Sequence, residues 1–313
     1  MNIAQELFEL YKGLDRAHGK FVITERQGDK VKGRATTIIE PVTVELWEKH
    51  LIGEQGLGIV PIRDDSICYF GAIDIDHYDI SIVELEKKIA SFGLPLLPCT
   101  TKSGGVHLYM FSKEGVPAKL LQSRLTEWAG ALGFPGIEIF PKQIKLASDK
   151  DVGNWINMPY FNGEETNRYG ILKGERLALD KFIARAKKLF VTEELLTTIT
   201  IPSLEGLEGA PPCLEALCRK GFPEGSRNNA LFNLGVYARM RYVDDWEQKV
   251  DEYNREYMNP GSAQEVVNII KSLSKKTYFY KCNEQPLCDY CTKTVFSHRE
   301  YGIGQSDRTE ESR

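Results

Sequence analysis

The stretch Gly71-Ala-Ile-Asp-Ile-Asp76 sets two carboxylates into an otherwise apolar run. As a strand it puts Ile73 and Ile75 on one face and Asp74 and Asp76 on the other. Asp is a poor strand former and neighbouring like charges repel, so the pair needs a compensating partner. A shared divalent cation would be one. Oxygen ligands suit Mg²⁺ or Mn²⁺, ions commonly shared with substrate phosphates. An edge-strand pair in solvent is the alternative. A second cluster is Thr101-Lys-Ser-Gly-Gly-Val-His107. Adjacent glycines, Gly104 among them, let backbone N–H groups approach an anion, and Lys102, Ser103 and His107 add charge and hydrogen bonds. A plain glycine turn beside a core histidine is the alternative there. Glu138, between Ile137 and Ile139, is a third strand carboxylate. Three such groups let two metals share ligands for in-line displacement at phosphorus. Lys142 and Gln143 follow where a phosphate could be reached.

The remaining chemistry is in thiols. Cys282-x5-Cys288-x2-Cys291 has metal-ligand spacing, and Cys213 would complete the set once the chain folds back, with Cys218 competing for that place. Four thiolates suit structural Zn²⁺, a four-cysteine iron–sulfur cluster is the runner-up, and unliganded reduced thiols are the third reading. Cys68 and Cys99 sit in apolar, strand-like runs and read as core.

Elements that could position these groups follow from periodicity. A helix is expected over Ile3–Gly13, a hairpin-like segment over Lys20–Ile39 and a helix near Val44–Ile52. Ser81-x-x-Glu84 has capping-box spacing and opens a helix to about Phe92. Leu96–Thr100, Val106–Phe111 and Ile137–Phe140 read as strands, and Leu121, Leu125, Trp128 and Leu132 recur at helical spacing after Pro117. Residues 149–170 read as extended segments and loops. This alternation indicates one α/β domain, residues 1–196, followed by a Thr/Ser/Gly/Pro-rich linker, 197–212. A helical, cysteine-ended domain is expected over 213–299 and a disordered polar tail over 300–313.

At 313 residues with a net charge of −4, the chain argues against coating nucleic acid by bulk charge. Local contact remains open. Between Lys271 and Arg299 there are six Lys/Arg against two acids, with Tyr278, Phe279 and Tyr280 interleaved. That mixture suits phosphate contact and base stacking, or a solvated helix end. No apolar run of about 18 residues exists, and the first residues lack a signal-peptide pattern, so a cytoplasmic protein without a membrane partner is expected.

The order Ala72–Asp76, then Ser-Gly-Gly-x-His (Ser103–His107), then Ile137-Glu-Ile139 resembles the archaeo-eukaryotic primase superfamily. His50-Leu51 before Leu57-Gly58-Ile59, the run EIFPKQ (138–143) and Gly153-Asn-Trp-Ile-Asn-Met-Pro-Tyr160 resemble its mobile-element, phage and CRISPR-associated primase-polymerase branch. Glu138 departs from the Asp that many members carry. The resemblance implies an α+β fold, a palm on an RRM-like antiparallel sheet flanked by helices, followed by a small helical domain with the cysteine metal site. It implies primer synthesis and extension from NTPs or dNTPs on single-stranded DNA, with two Mg²⁺ or Mn²⁺ ions at Asp74, Asp76 and Glu138. Lys102, Ser103, Gly104, His107 and Lys142 would hold the triphosphate, and Asn154 and Tyr160 the sugar or base. Gly225-Ser-Arg-Asn-Asn229 resembles the helical domain that follows such cores. Ser226 would be an N-cap, and Arg227 and Asn228 would serve template binding and initiation. CRISPR or replication proteins are the implied partners. Two other classes compete: an Asp-x-Asp glycosyltransferase, which leaves Ser-Gly-Gly-x-His and the cysteines unexplained, and a non-catalytic zinc-containing nucleic-acid-binding module, which gives no reason for three strand carboxylates.

Overall fold

A computed structural model describes residues 2–27, 30–76, 80–258, 262–291 and 299–302. The chain divides into two compact units, Met1–Leu125 with Ile137–Thr200, and Thr126–Gly136 with Ile201–Arg313. The boundary at Thr200 falls inside the expected linker. That stretch is no loose tether, however. Glu193–Thr198 is helical and Ile201, Leu207 and Ala210 are buried.

The first unit is a mixed α+β structure whose sheet pairings are antiparallel. Helix α1 (Ile3–Leu10) starts at Asn2, whose side chain accepts from the Ala4 N–H. Strands β1 (His18–Gln27) and β2 (Lys30–Ile38) form the expected hairpin, and α2 (Val44–Leu51) and β3 (Gly56–Ile59) follow. The long strand β4 (Ile67–Ile75) precedes α3 (Ile82–Ser91), where Ser81 Oγ accepts from the Glu84 N–H as the capping spacing requires. Then come β5 (Leu97–Thr100), β6 (Val106–Pro117), α4 (Ala118–Leu132) and β7 (Glu138–Phe140). Short strands β8 (Ile156–Asn157), β9 (Ile171–Leu172) and β10 (Glu175–Arg176) lead to α5 (Leu179–Lys188) and α6 (Glu193–Thr198). One sheet has the order β2-β1-β3-β8, the other β5-β6-β4-β7.

Alternation along β4 gives its two faces different work. A Cβ on Gly71 would stand 2.8 Å from Leu121 and 2.9 Å from Leu125, so the face of Gly71, Ile73 and Ile75 is the one covered by α4. On the other face Phe70 and Ala72 join an aromatic core around Tyr11, whose ring lies 5.1–5.3 Å from those of Phe70, Tyr109 and Phe111. Each such ring buried contributes about 1.5–3 kcal/mol.

The second unit is helical: α7 (Pro212–Lys220), α8 (Arg227–Arg241), α9 (Trp246–Tyr257), α10 (Ala263–Leu273) and α11 (Leu287–Tyr290). Leu214, Leu217, Leu231, Leu234, Val250 and Ile269 form its core. Thr126–Gly136, which the linear reading assigns to the catalytic domain, belongs to this unit. Of the three interleaved aromatics Phe279 is exposed and Tyr278 half-buried. Tyr280 is buried, donating its hydroxyl proton to the Tyr301 carbonyl, so it is unavailable for base stacking. Residues 292–298 of the basic stretch and 303–313 of the expected tail lie outside the described residues. Among the described residues no helix is long and apolar enough to cross a membrane.

Candidate active site

Register places the chemistry in one row. Cys99 pairs with His107, His107 with Asp74, and Asp74 with Glu138, across β5, β6, β4 and β7. Cross-strand partners share a face, so all four side chains stand on the face that carries the aromatic core one row further in. Exposure rises along the row, from a fully buried Cys99 through 12% for the His107 side chain and 19% for Asp74 to 60% for Glu138. Asp76, just beyond the strand end, lines the same pocket as Asp74.

His107 is held from both sides. Its Nε2 lies 3.2 Å from Asp74 Oδ1, and its Nδ1 lies 3.0 Å from the Tyr109 hydroxyl. That hydroxyl donates to the Asn157 carbonyl at 3.1 Å, which leaves its oxygen to accept from Nδ1–H. Burial, reinforced by Cys99 and Asp74, keeps the Tyr109 phenol well above its ordinary pKa, so it remains a donor.

The Thr101–Gly105 loop forms the next wall. Thr101 N–H donates to the Gly105 carbonyl and Gly104 N–H to that of Thr101, while the Thr101 and Ser103 hydroxyls are 3.2 Å apart. Gly104 has a φ of +93°, and a Cβ on Gly105 would stand 2.4 Å from the Ile75 carbonyl oxygen. Both glycines are therefore required where the loop passes the end of β4. Lys102 and Ser103 line the pocket with His107, Asp74 and Asp76.

Sequence reasoning missed the group opposite. Arg168 is only 7% exposed, and its Nη1 is buried without a hydrogen-bond partner among the described residues. Its guanidinium carbon sits 6.0 Å from the Phe21 ring and 5.5 Å from that of Phe161. The backbone around it is pinned. Thr100 Oγ1 donates to the Asn167 carbonyl and accepts from Tyr169 N–H, and Thr166 Oγ1 accepts from Arg168 N–H. Lys102 Nζ lies 4.3 Å above the same Phe21 ring. Burial pulls Arg168 below its ordinary pKa. Burial and then the Arg168 charge do the same to Lys102. A guanidinium buried in this way is costly until an anion joins it. Nothing in Thr166-Asn-Arg168 distinguishes this arginine from a solvated loop residue.

A third wall, Asn157–Pro159, depends on a buried histidine. His50 Nε2–H donates to the Pro159 carbonyl at 2.8 Å, and its Nδ1 accepts from the Leu57 N–H at 3.0 Å. The neutral ring is the form these bonds need. Burial, with Arg168 adding repulsion, pushes His50 down to about 4, although its bond to Pro159 acts in the other direction. The pocket enclosed by these walls has about 580 Å³ of empty space, counting its open mouth.

Several expected site residues are elsewhere. Lys142 Nζ pairs with Glu138 Oε1 at 2.8 Å, and Gln122 fixes the turn between them by donating to the Pro141 and Lys142 carbonyls. Asn154 is engaged with Gln143 and does not line the pocket. Tyr160 is fully buried, its hydroxyl donating to the Leu177 carbonyl and accepting from Gly170 N–H, so it cannot meet a sugar or base. In the second unit, Ser226 makes no side-chain cap. Its hydroxyl donates to the Pro223 carbonyl. Arg227 Nε donates to Glu265 Oε2 at 3.1 Å, and Asn228 is exposed. Cys213 is buried, while Cys282, Cys288 and Cys291 are half-buried. Among the described residues no three His, Cys, Asp or Glu side chains stand close enough together to hold a metal, in the thiol group or at the strand acids.

Antiparallel sheets that gather acids, a Ser-Gly-Gly-x-His loop and a buried arginine belong here to a protein of the archaeo-eukaryotic primase superfamily, a primase-like nucleotidyltransferase class. Within it, the family described as TOTE conflict system, Archaeo-Eukaryotic Primase domain, matches residues 15–176, more than half of the chain, and the chain belongs to that family. Two solved structures are similar to it. The AEP domain of the cyanophage S-2L primase-polymerase (PrimPol) is 15% identical, with a TM-score of 0.32, over 59% of this chain and 96% of that one. Primase RepB′ is 13% identical, with a TM-score of 0.30, over 100% of this chain and 99% of that one. No curated protein matches the chain.

Proposed function

We propose that this chain is a primase-polymerase, making and extending primers on single-stranded DNA from nucleoside triphosphates. The observation that carries the reading is the polarity of one pocket. Asp74 and Asp76 line it together with Lys102 and with Arg168, whose Nη1 is buried without a hydrogen-bond partner among the described residues. A nucleoside triphosphate with its divalent ion has the complementary charge order.

Asp74, Asp76 and Glu138 are the hard oxygen donors that would hold Mg²⁺ or Mn²⁺. Glu138, mostly exposed and paired among the described residues with Lys142, is the one whose side chain can turn to join its cross-strand neighbour Asp74. When bound, such ions neutralise phosphate charge and lower the pKa of an attacking hydroxyl. The chain's own residues do the positioning. Arg168 and Lys102 bind phosphate oxygens, the Thr101–Gly105 loop offers Ser103 Oγ, and His107, fixed by Tyr109, presents Nε2 at the boundary between acids and phosphates. Aromatic rings behind Arg168 exclude water there and strengthen its attraction for an anion.

The test uses primer-free single-stranded DNA with NTPs or dNTPs and Mn²⁺. New oligonucleotides are expected from the wild-type chain. Asp74→Ala with Asp76→Ala should give none while keeping the circular dichroism of the folded protein. Undiminished synthesis by that variant would refute the assignment of the acids.

A further inference from the structure

The sheet β2-β1-β3-β8 carries an indole that the pocket described above does not use. Gly19 of β1 pairs with Thr37 of β2 on one side and with Gly58 of β3 on the other, and Gly58 pairs with Asn157 of β8. Cross-strand partners share a face, so these four residues form one row. The Trp155 ring lies over it. A Cβ on Gly19 would stand 2.2–2.5 Å from three indole atoms, and one on Gly58 2.2–2.9 Å from three. No side chain fits at either position while the ring is there, and one face of the indole rests on bare backbone. Its edge is fixed as well, because Nε1–H donates to Thr37 Oγ1 at 3.1 Å.

Trp155 is nevertheless only half-buried, and among the described residues no ring or cation stacks on it. A rigid aromatic surface held flat on one side and free on the other is what a nucleobase stacks on.

Register relates this surface to the phosphate-binding cations. Phe21 lies two residues along β1 from Gly19 and so on the same face. Its ring is the one 4.3 Å below Lys102 Nζ and 6.0 Å from the Arg168 guanidinium carbon. Two strand residues are about 7 Å, a separation that the sugar of a nucleotide spans. Asn154 N–H donates to Gln143 Oε1, just past β7, and Tyr160 N–H to the Arg168 carbonyl. The segment carrying Trp155 therefore runs from the strand of Glu138 to Arg168. Asn157, in the row under the indole, lines the pocket, and its Oδ1 is buried without a hydrogen-bond partner among the described residues. An unmet acceptor there suits a hydroxyl or amino donor of a nucleoside.

We propose that Trp155 is the stacking platform for the base of the nucleoside triphosphate whose phosphates Arg168 and Lys102 bind, a role that rests on the function proposed above. Gly19 and Gly58 keep the indole flat, and Thr37 fixes its direction.

Direct binding to the full chain, measured by calorimetry with Mn²⁺ and without polymerisation, tests this. The probes are ATP, dATP, inorganic tripolyphosphate and a single-stranded oligonucleotide. Trp155→Leu should bind the nucleotides at least about tenfold more weakly than wild type. Trp155→Phe should lose less, and all three proteins should bind tripolyphosphate alike. Unchanged nucleotide affinity in Trp155→Leu, an equal loss for tripolyphosphate, or a loss confined to the oligonucleotide would each overturn the proposal. If Trp155→Leu does not fold, indole emission decides. Trp47 and Trp128 are fully buried. Nucleotide should therefore quench the wild-type emission, tripolyphosphate should not, and the quenching should vanish in Trp155→Phe; quenching that survives there would overturn the platform. A wild-type chain that makes no primers, yet loses nucleotide binding selectively through Trp155→Leu, would refute the proposed function and leave the platform standing.

Discussion

Lowering the pH should loosen the first unit through His50, by an amount that follows from its setting. Both ring nitrogens are committed to backbone groups, Nε2–H to the Pro159 carbonyl and Nδ1 to the Leu57 N–H. Protonating Nδ1 would turn that acceptor into a donor facing a donor, inside a fully buried site near Arg168. The folded chain holds the ring at about 4, below its ordinary 6.5. Its contribution to stability is thus intact above 6.5 and is lost as pH falls toward 4, because the unfolded chain binds the proton first. Linkage for those two values gives a loss of about 2 kcal/mol by pH 5 and about 3 kcal/mol by pH 4. Urea denaturation at pH 7.5 and pH 5, followed by circular dichroism, measures it against His50→Gln, which keeps a donor and an acceptor but does not titrate. The variant should be the less stable protein at pH 7.5, by about 1–3 kcal/mol, and the gap should shrink by about 2 kcal/mol at pH 5. Parallel losses in the two proteins would refute the buried neutral histidine.

The other predictions concern the pocket. Arg168→Ala should raise the KM for nucleoside triphosphates by about tenfold or more, as expected for losing one charge-assisted contact, with Arg168→Lys recovering part of it in steady-state primer extension. Gly105→Ala should cost about 1–3 kcal/mol in urea denaturation and weaken nucleotide binding, since the new methyl meets the Ile75 carbonyl. Tyr160→Phe should lose about 1–2 kcal/mol of stability from two hydrogen bonds yet leave the KM for nucleotides unchanged. A raised KM there would restore Tyr160 to the site.

Strands β4, β5, β6 and β7 were legible because alternation survives in the sequence wherever one face of a sheet is apolar, and the acids announced themselves by breaking that pattern. Register was not legible. That Asp74 stands between His107 and Glu138 depends on pairings made by residues far apart in the chain. Arg168 escaped notice because its burial comes from the fold around a polar loop, not from its neighbours in sequence. Tyr160 was misplaced for the converse reason. It lies within a motif-like run, but the aromatic core claims it. Helix α5 was passed over although Leu179, Phe182, Ile183 and Ala186 recur at helical spacing and are buried, since its charged residues dominate the local composition. The grouping of Thr126–Gly136 with the second unit left no mark in periodicity.

The two-faced strand β4 has an effect on how the protein reaches its native state. Sliding it by one position would drive Asp74 under Leu121 and Leu125 and lift Ile73 and Ile75 into the polar pocket, a swap penalised on both sides. The neighbouring irregularity between Cys68 and Phe70 confines any mismatch in length to the opposite end of the strand. The acids of this strand thereby act as an alignment mark during folding, and a chain that mispairs at β4 forfeits stability on both faces at once.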